Sequence, residues 1–141
     1  MKRTASAVWH GDLKSGQGRI STGSGVLQET QYSFSTRFEN GIGTNPEELI
    51  AAAHAGCFAM AFSAELGKAG FTPASIRATA TVTLDKTDAG WTVTESHLDM
   101  SAKIPGIEEG KFIAIADGAK AGCPISRLLN AKVTLDAKLE T

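Results

Sequence analysis

Residues 44–61 read TNPEELIAAAHAGCFAMA, and this stretch decides the fold because it predicts the start of one long helix. Thr44 or Asn45 can serve as the N-cap, and Pro46 suits the first helical position. One of the two glutamates that follow completes a capping box, and we assign this role mainly to Glu48, with Asn45 as the N-cap. The sequence therefore predicts a helix with a sharply defined beginning.

This helix is predicted to extend to about Ala69, where Gly70 offers a C-terminal stop. Apolar residues recur along it at three- and four-residue spacing, which predicts the face that points inward. They are Ile50, Ala53, Cys57, Met60 and Ala64. Nearly every other residue up to Phe62 is also small or apolar, so we expect a central helix with neighbours on most sides.

The remainder of the chain alternates strand and helix patterns. Predicted strands cover residues 4–10, 19–24, 31–38, 75–84, 91–103 and 131–140, and predicted helices cover 108–121 and 123–129. Within 31–38, Arg37 points away from the aromatic side of its strand. The order predicts one α+β domain over residues 1–141, with an antiparallel sheet packed on the long central helix.

Composition excludes several classes of partner. The 141-residue chain is 42% hydrophobic and carries a formal net charge of −1, so we expect neither nucleic acid nor an anionic membrane as a main partner. No apolar stretch follows the basic N-terminus, and the apolar run at 49–62 is too short to span a bilayer. These features predict a cytoplasmic protein.

The only two cysteines, Cys57 and Cys123, lie in different settings. Cys57 is in the middle of the predicted helix, where it is either a buried inert thiol or a nucleophile that needs an imported cation. Cys123 precedes Pro124 at a helix start, where backbone N–H groups can stabilise a thiolate; the alternative is a plain loop thiol. Together they form a candidate peroxide-reducing dithiol.

The cation that Cys57 needs could come from several residues. Arg37, Arg77, Arg127 and His54 are the candidates. His54 precedes Cys57 by three residues and could touch it, or it could be a core histidine with both nitrogens satisfied. A metal site that combines His54 with the two cysteines lacks a further ligand and any CxxC or HxxxH pair, so we predict no metal and no bound cofactor.

Several segments together resemble the OsmC/Ohr family, the osmotically inducible protein C and organic hydroperoxide resistance proteins. The similar segments are residues 9–12, 22–27, 36–39, 43–49, 54–58, 69–73, 104–107 and 121–124. They extend over the whole chain, and its N-terminal third is more similar to the OsmC branch.

The resemblance implies a thiol peroxidase of oxidative and osmotic stress defence that reduces organic hydroperoxides. It makes Cys57 the peroxidatic cysteine and Cys123 the resolving one, with a disulfide between them. It makes Arg37 the arginine that stabilises the thiolate and Glu47 the glutamate that orients this arginine. It also implies an intertwined homodimer with active sites at the subunit interface, and an external dithiol reductant such as a lipoylated protein.

Helix geometry tests where Glu47 can act. Glu47 and Cys57 are ten residues apart on the predicted helix, which separates them by roughly 15 Å and about 80° of rotation. We therefore expect Arg37 and Glu47 of one subunit to face Cys57 and Cys123 of the other. The alternatives to an enzyme are a non-enzymatic redox sensor that forms the same disulfide and an inert-thiol stress protein that binds ligands.

Overall fold

The structure is a computed structural model that describes residues 1–141. Its strands are β1 (Ala5–His10), β2 (Gln17–Thr22), β3 (Thr30–Tyr32), β4 (Ser75–Thr87), β5 (Gly90–Lys103) and β6 (Lys132–Glu140). Its helices are α1 (Phe34–Phe38), α2 (Pro46–Lys68), α3 (Glu109–Gly122) and α4 (Pro124–Leu128). The α+β class is as predicted. Internal contacts group the chain into two compact units, residues 1–49 and 50–141, and the prediction of a single domain stays a prediction.

The first unit contains a three-stranded antiparallel sheet in the order β1-β2-β3. The rings of Trp9 and Tyr32 meet across it with their centroids 5.6 Å apart. Gly18 pairs with both of these residues, and a Cβ at this position would collide with the Tyr32 ring. The glycine therefore lets the two aromatic side chains lie close to the strand between them.

The predicted strand at 31–38 is wrong beyond Tyr32, because the chain turns there into the short helix α1. Ser33 Oγ accepts a hydrogen bond from the Thr36 N–H at 3.3 Å, and the Ser33 N–H donates to Thr36 Oγ1 at 2.8 Å. This reciprocal capping box satisfies backbone donors locally, and here it overrides the alternating pattern. Arg37 therefore lies in the last turn of a helix rather than on a strand.

Helix α2 begins and ends close to the predicted positions. Asn45 Oδ1 accepts the Glu48 N–H at 2.8 Å, which confirms Asn45 as the cap. The Thr44 hydroxyl donates to Glu48 Oε2 at 2.7 Å. Gly70 adopts φ +88°, and the Phe71 N–H then donates to the Leu66 carbonyl at 2.9 Å. This left-handed residue closes the helix as glycine does at many C-termini.

The buried face of α2 differs from the predicted one. The buried residues are His54, Phe58, Phe62 and Leu66, whereas Ala53, Met60 and Ala64 are exposed. Met60 keeps 77% of its surface exposed. Because most of the helix is apolar, its periodicity could not single out one face. The face with the two phenylalanines and the leucine removes the most apolar area from water.

The second unit is built on a mixed sheet in the order β4-β5-β6. β4 and β5 form an antiparallel hairpin, but β5 and β6 are parallel, so the prediction of a wholly antiparallel sheet is wrong for this pair. The chain between them forms α3 and α4, which supply the crossover that parallel strands require. The core of the unit joins α2, β5 and α3 through Phe62, Leu98 and Phe112.

The whole of α2 is longer than the apolar run recognised in the sequence. It has 23 residues and contains an 18-residue window with a mean hydropathy of 1.5, which meets the length and composition that a membrane span needs. The apolar run at 49–62 lies within this longer helix, so the length of that run alone does not decide whether α2 could span a bilayer. The same test is passed by the core helix of a soluble protein, so it does not assign α2 to a membrane.

Candidate active site

The two cysteines of the second unit lie side by side. Their sulfur atoms are 2.8 Å apart, with the Cys123 thiol donating to Cys57, and both are free thiols. A covalent S–S bond would be about 2.05 Å long. The sequence predicted that Cys57 is buried. In the structure Cys57 is only half-buried, whereas Cys123 is completely buried. Of the two, Cys57 is the thiol that a small molecule can reach.

Local structure at the end of α3 brings Cys123 to this position. Cys123 ends α3, where its N–H donates to the Ala119 carbonyl at 2.9 Å. It is also the N-cap of α4, with Pro124 at the first helical position. Its carbonyl accepts the Arg127 N–H at 3.1 Å. The break between the two helices therefore holds the thiol between two hydrogen-bonded turns.

The surroundings make the two thiols electrostatically unequal. Burial, the Cys123 thiol and its charge raise the pKa of Cys57, against a lowering contribution from the Ile125 N–H. Burial also opposes ionisation of Cys123. Once Cys123 is ionised, however, the Cys57 thiol becomes the donor of their shared hydrogen bond, and together with the Ser126 backbone, the Ser126 hydroxyl and the Ile125 N–H it holds the pKa of Cys123 below its ordinary value. The Cys123 side chain makes no capping hydrogen bond at the start of α4. Cys57 has no comparable support, so its ionisation requires a cation.

In the first unit, Arg37 and Glu47 form a two-point ion pair. Arg37 Nη2 lies 2.7 Å from Glu47 Oε1, and Arg37 Nε lies 3.2 Å from Oε1 and 3.1 Å from Oε2. The Arg37 guanidinium also lies over the Phe38 ring at 5.4 Å from its centroid. The Glu47 side chain keeps only 12% of its surface exposed, against 38% for Arg37. The carboxylate thus holds a guanidinium that remains accessible.

Arg37 also lines a small aromatic cavity of the first unit. The cavity has a volume of about 300 Å³, and its walls are Trp9, Leu13, Tyr32, Ser33, Phe34, Arg37 and Phe38. Most of these residues are apolar, and Arg37 is the cationic one. The cavity can therefore take an apolar group that carries a polar or anionic end.

His54 is a core histidine with both nitrogens satisfied, one of the two alternatives that the sequence left open. Its side chain is fully buried. His54 Nδ1 lies 2.6 Å from Ser96 Oγ on β5, and His54 Nε2 lies 2.7 Å from Ser126 Oγ on α4. Burial lowers the pKa of His54 below its ordinary value of 6.5. The imidazole is therefore neutral at neutral pH.

Sequence reasoning missed both serine partners of His54. Neither serine had a local signal that points to His54. Ser126 is a polar residue of the short helix α4, and Ser96 is one of several polar residues along β5. Only the packing of α2 brings each of them to His54.

A possible cation site lies elsewhere in the second unit. His97, Asp99 and Asp136 place one ligand atom each within 4.8 Å of one another on β5 and β6. Both carboxylates are largely exposed, with 61% and 79% of their side-chain surface accessible. His54 cannot contribute to a metal site without losing a serine partner. The four predicted site residues form two pairs, Cys57 with Cys123 in the second unit and Arg37 with Glu47 in the first. Neither pair includes His97, Asp99 or Asp136.

Comparison with known proteins identifies the family. The family model described as OsmC-like protein matches residues 39–138, more than half of the chain. The chain belongs to the OsmC family. It is 53% identical to a protein of Escherichia coli K12 named Peroxiredoxin OsmC. The match extends over 139 residues, which are 99% of this chain and 97% of that protein.

Solved structures of the OsmC family share the fold. An OsmC-like protein of unknown function from Vibrio cholerae matches with a TM-score of 0.78 and 18% identity, over 97% of this chain and 99% of that one. The organic hydroperoxide resistance protein OhrB of Bacillus subtilis matches with a TM-score of 0.68 and 22% identity, over 97% of this chain and 98% of that one. These likenesses establish the fold of the OsmC-family chain.

Proposed function

We propose that this OsmC-family chain is a cysteine-dependent peroxidase that reduces organic hydroperoxides to alcohols. The observation that carries the proposal is the pair of sulfur atoms at 2.8 Å, of which the half-buried one, Cys57, can meet a substrate. The relative in E. coli is named a peroxiredoxin, and the structural relative in B. subtilis is named for organic hydroperoxide resistance. Both names agree with the chemistry that a close dithiol supports.

The proposed reaction has three steps. The Cys57 thiolate attacks the distal oxygen of ROOH, the O–O bond breaks, and the alkoxide leaves as ROH after it takes a proton, which leaves Cys57 as a sulfenic acid. The Cys123 sulfur then attacks the Cys57 sulfur, the S–O bond breaks, and water departs. An external dithiol reduces the resulting Cys57–Cys123 disulfide by thiol–disulfide exchange. The protein needs no bound cofactor for this cycle.

Arg37 and Glu47 supply the cation that Cys57 lacks in this proposal. The second unit raises the pKa of Cys57, so a nucleophilic Cys57 requires positive charge from elsewhere. The ten-residue separation of Glu47 from Cys57 on α2 makes help within the same chain difficult. We therefore assign Arg37 and Glu47 of one subunit to Cys57 and Cys123 of the other, in a homodimer with shared sites.

The aromatic cavity supports the substrate class. Its apolar walls suit the alkyl part of a hydroperoxide, and Arg37 stands at the same cavity to meet the polar peroxide group. Hydrogen peroxide has no alkyl part to bury, so it gains less binding energy there. We expect alkyl hydroperoxides to react faster than hydrogen peroxide.

The cellular setting completes the proposal. A dithiol that cycles through a disulfide needs a reducing compartment, and we assign the protein to the cytoplasm and to oxidative and osmotic stress defence. A lipoylated protein is the candidate reductant, because its dithiol can reduce the disulfide by exchange.

The decisive experiment compares the peroxide consumption of the wild type with that of Cys57→Ser, with cumene hydroperoxide and dihydrolipoamide. The proposal requires steady turnover that disappears in Cys57→Ser, and equal rates of the two proteins would refute it. Cys123→Ser should complete one turnover and then stall in the absence of added thiol. A redox sensor would react once even with an abundant dithiol, and an inert-thiol binding protein would form no intramolecular disulfide by mass spectrometry.

A further inference from the structure

Three side chains converge on the face of the second sheet that points away from the core. His97 and Asp99 are two residues apart on β5, and Asp136 on β6 is the register partner of Asp99. Leu98, between the first two, is fully buried, so its neighbours point to the opposite face. His97 Nε2 lies 3.1 Å from Asp136 Oδ2 and 3.5 Å from Asp99 Oδ1. Two adjacent strands, rather than a loop, therefore hold this His97 cluster.

A hydrogen-bond relay fixes the proton on the other ring nitrogen of His97. The Thr134 hydroxyl donates to Glu95 Oε1 at 3.3 Å, because a carboxylate can only accept. A hydroxyl has one proton, so in the contact between Thr134 and His97 the Nδ1–H must be the donor. Metal-bound histidines commonly have this kind of support at the nitrogen that does not bind the ion. His97 Nε2 is left with either a lone pair or a second proton toward the two aspartates.

The two aspartates carry negative charge that no lysine or arginine neutralises by direct contact. The His97 imidazole is the only ion-pair partner of Asp99 and of Asp136. Arg77 and Lys138 line a cavity of about 470 Å³ together with both aspartates, but neither forms an ion pair with them. A cation between the carboxylates and the Nε2 lone pair would be attracted by all three groups. The cavity gives such an ion access from solvent.

The spacing of the three ligand atoms suits a small divalent ion. Zn²⁺ binds nitrogen and oxygen ligands at about 2.0–2.2 Å, so the ligands of a tetrahedral site lie about 3.4 Å apart. The two distances from His97 Nε2, 3.1 and 3.5 Å, bracket this value. We propose that His97, Asp99 and Asp136 bind one divalent transition-metal ion such as Zn²⁺, with water in the remaining position, and that the ion links β5 to β6. The imidazole ligand favours such an ion over Mg²⁺ and Ca²⁺.

This site is independent of the proposed peroxidase chemistry. The sequence-based argument against a metal concerned His54 and the two cysteines, and none of these residues takes part here. No step of the proposed reaction passes through the ion, so neither proposal depends on the other. The ion should act on stability, because the folded chain binds it and a chain without paired β5 and β6 does not. The rival arrangement has a second proton on His97 Nε2, which satisfies the same carboxylates and predicts no metal binding.

Calorimetric titration with Zn²⁺ tests the site in a background that carries both Cys57→Ser and Cys123→Ser. These substitutions remove the thiols, which would otherwise bind zinc themselves. We expect one ion per chain, and an equal concentration of Mg²⁺ should not displace it. Co²⁺ should give d–d absorption without thiolate-to-cobalt charge transfer. No saturable binding at submillimolar Zn²⁺ would overturn the inference in favour of the protonated pair.

Substitution of the ligands locates the ion. His97→Gln, Asp99→Asn and Asp136→Asn should each weaken Zn²⁺ binding about tenfold or more, since even the loss of a group that supports a ligand costs that much. His10→Gln is the matched control, because it removes an exposed histidine of the first unit, and it should leave the affinity unchanged. If the three ligand variants bind Zn²⁺ as tightly as the background, the ion is adventitious and the inference is wrong.

The relay behind His97 gives a second test. Thr134→Val keeps the branched shape but removes the acceptor of the Nδ1–H, and it should weaken Zn²⁺ binding about tenfold. Thr81→Val is the matched control, because Thr81 is the register partner of His97 on β4 and makes no hydrogen bond to it. Equal affinities of these two variants would contradict the relay. Zn²⁺ should also raise the urea midpoint of the background but not of His97→Gln, and an equal rise in both would show that the ion acts elsewhere.

Discussion

At the scale of single residues, the reactive centre depends on what surrounds each sulfur. Cys123 gathers hydrogen-bond donors from its own unit, whereas Cys57 meets burial and a second thiol, which raise its pKa. A nucleophile with a raised pKa is largely protonated at neutral pH and therefore slow. If Cys57 is the nucleophile and Cys123 the resolving thiol, a positive charge must therefore lie near Cys57.

Arg37→Ala should raise the pKa of Cys57 and slow the peroxide-dependent phase by about tenfold or more, because one charge-assisted interaction with the thiolate is lost. Thiol titration of a Cys123→Ser background and stopped-flow oxidation measure the two effects. Arg37→Lys is the control: it keeps the charge but loses the two-point contact with Glu47, so its rate should fall between those of the wild type and Arg37→Ala. An unchanged titration in Arg37→Ala would remove Arg37 from the mechanism.

His54 makes stability depend on pH in a predictable direction. Burial lowers its pKa in the folded state, so below the ordinary value of 6.5 the unfolded chain binds a proton that the folded chain does not. The free energy of unfolding should therefore fall as pH drops from 6.5 toward the folded-state pKa of His54, and this contribution should be fully present above 6.5. His54→Gln should flatten that part of the profile. Urea unfolding between pH 5 and 8 measures it, and parallel profiles for both proteins would contradict the assignment.

At the scale of elements, local signals were sufficient for α2 but misleading for α1. Asn45, Pro46 and Gly70 delimit α2 through backbone hydrogen bonds within a few residues of each end, so the sequence could predict its bounds. The alternation at 31–38 favoured a strand, yet the Ser33 capping box formed a helix from the same residues. Two local rules competed there, and only the folded chain shows which one prevails.

The buried face of α2 gives a test at this scale. The Phe62 ring is fully buried, parallel to Phe58 at 6.1 Å and edge-on to Phe112 at 5.8 Å between centroids. Phe62→Ala should lower the free energy of unfolding by about 3–5 kcal/mol, because it removes buried area and leaves a cavity. Ile113→Ala on α3, where the side chain is 38% exposed, should cost far less. Similar midpoints for the two variants in chemical denaturation would show that this face is not the core.

At the scale of the whole molecule, the pairing of Cys57 with Cys123 and of Arg37 with Glu47 could be predicted from the sequence only because the sequence resembles a known family. Cys57 and Cys123 are separated by 66 residues, and their contact depends on how α4 follows α3 beside α2. The parallel pairing of β5 with β6 was also missed, because strand direction follows from the crossover rather than from any strand's own pattern. Long-range packing of this kind leaves no trace in local spacing.

The shared site proposed for the homodimer is tested by mixing the strongly slowed variant Arg37→Ala with the inactive variant Cys57→Ser. If Arg37 serves the cysteines of the other subunit, a dimer of one Arg37→Ala chain and one Cys57→Ser chain contains one complete site, with Arg37 from the second chain and Cys57 from the first. Random exchange makes about half of the dimers mixed, so the mixture should regain about a quarter of the wild-type activity. If Arg37 serves its own chain, no mixed dimer has a complete site and the mixture keeps only the residual activity of Arg37→Ala. The activities of the separate variants and of the jointly refolded mixture distinguish these outcomes. A mixture that regains no activity above that residual level, with mixed dimers verified by mass, would refute the shared site.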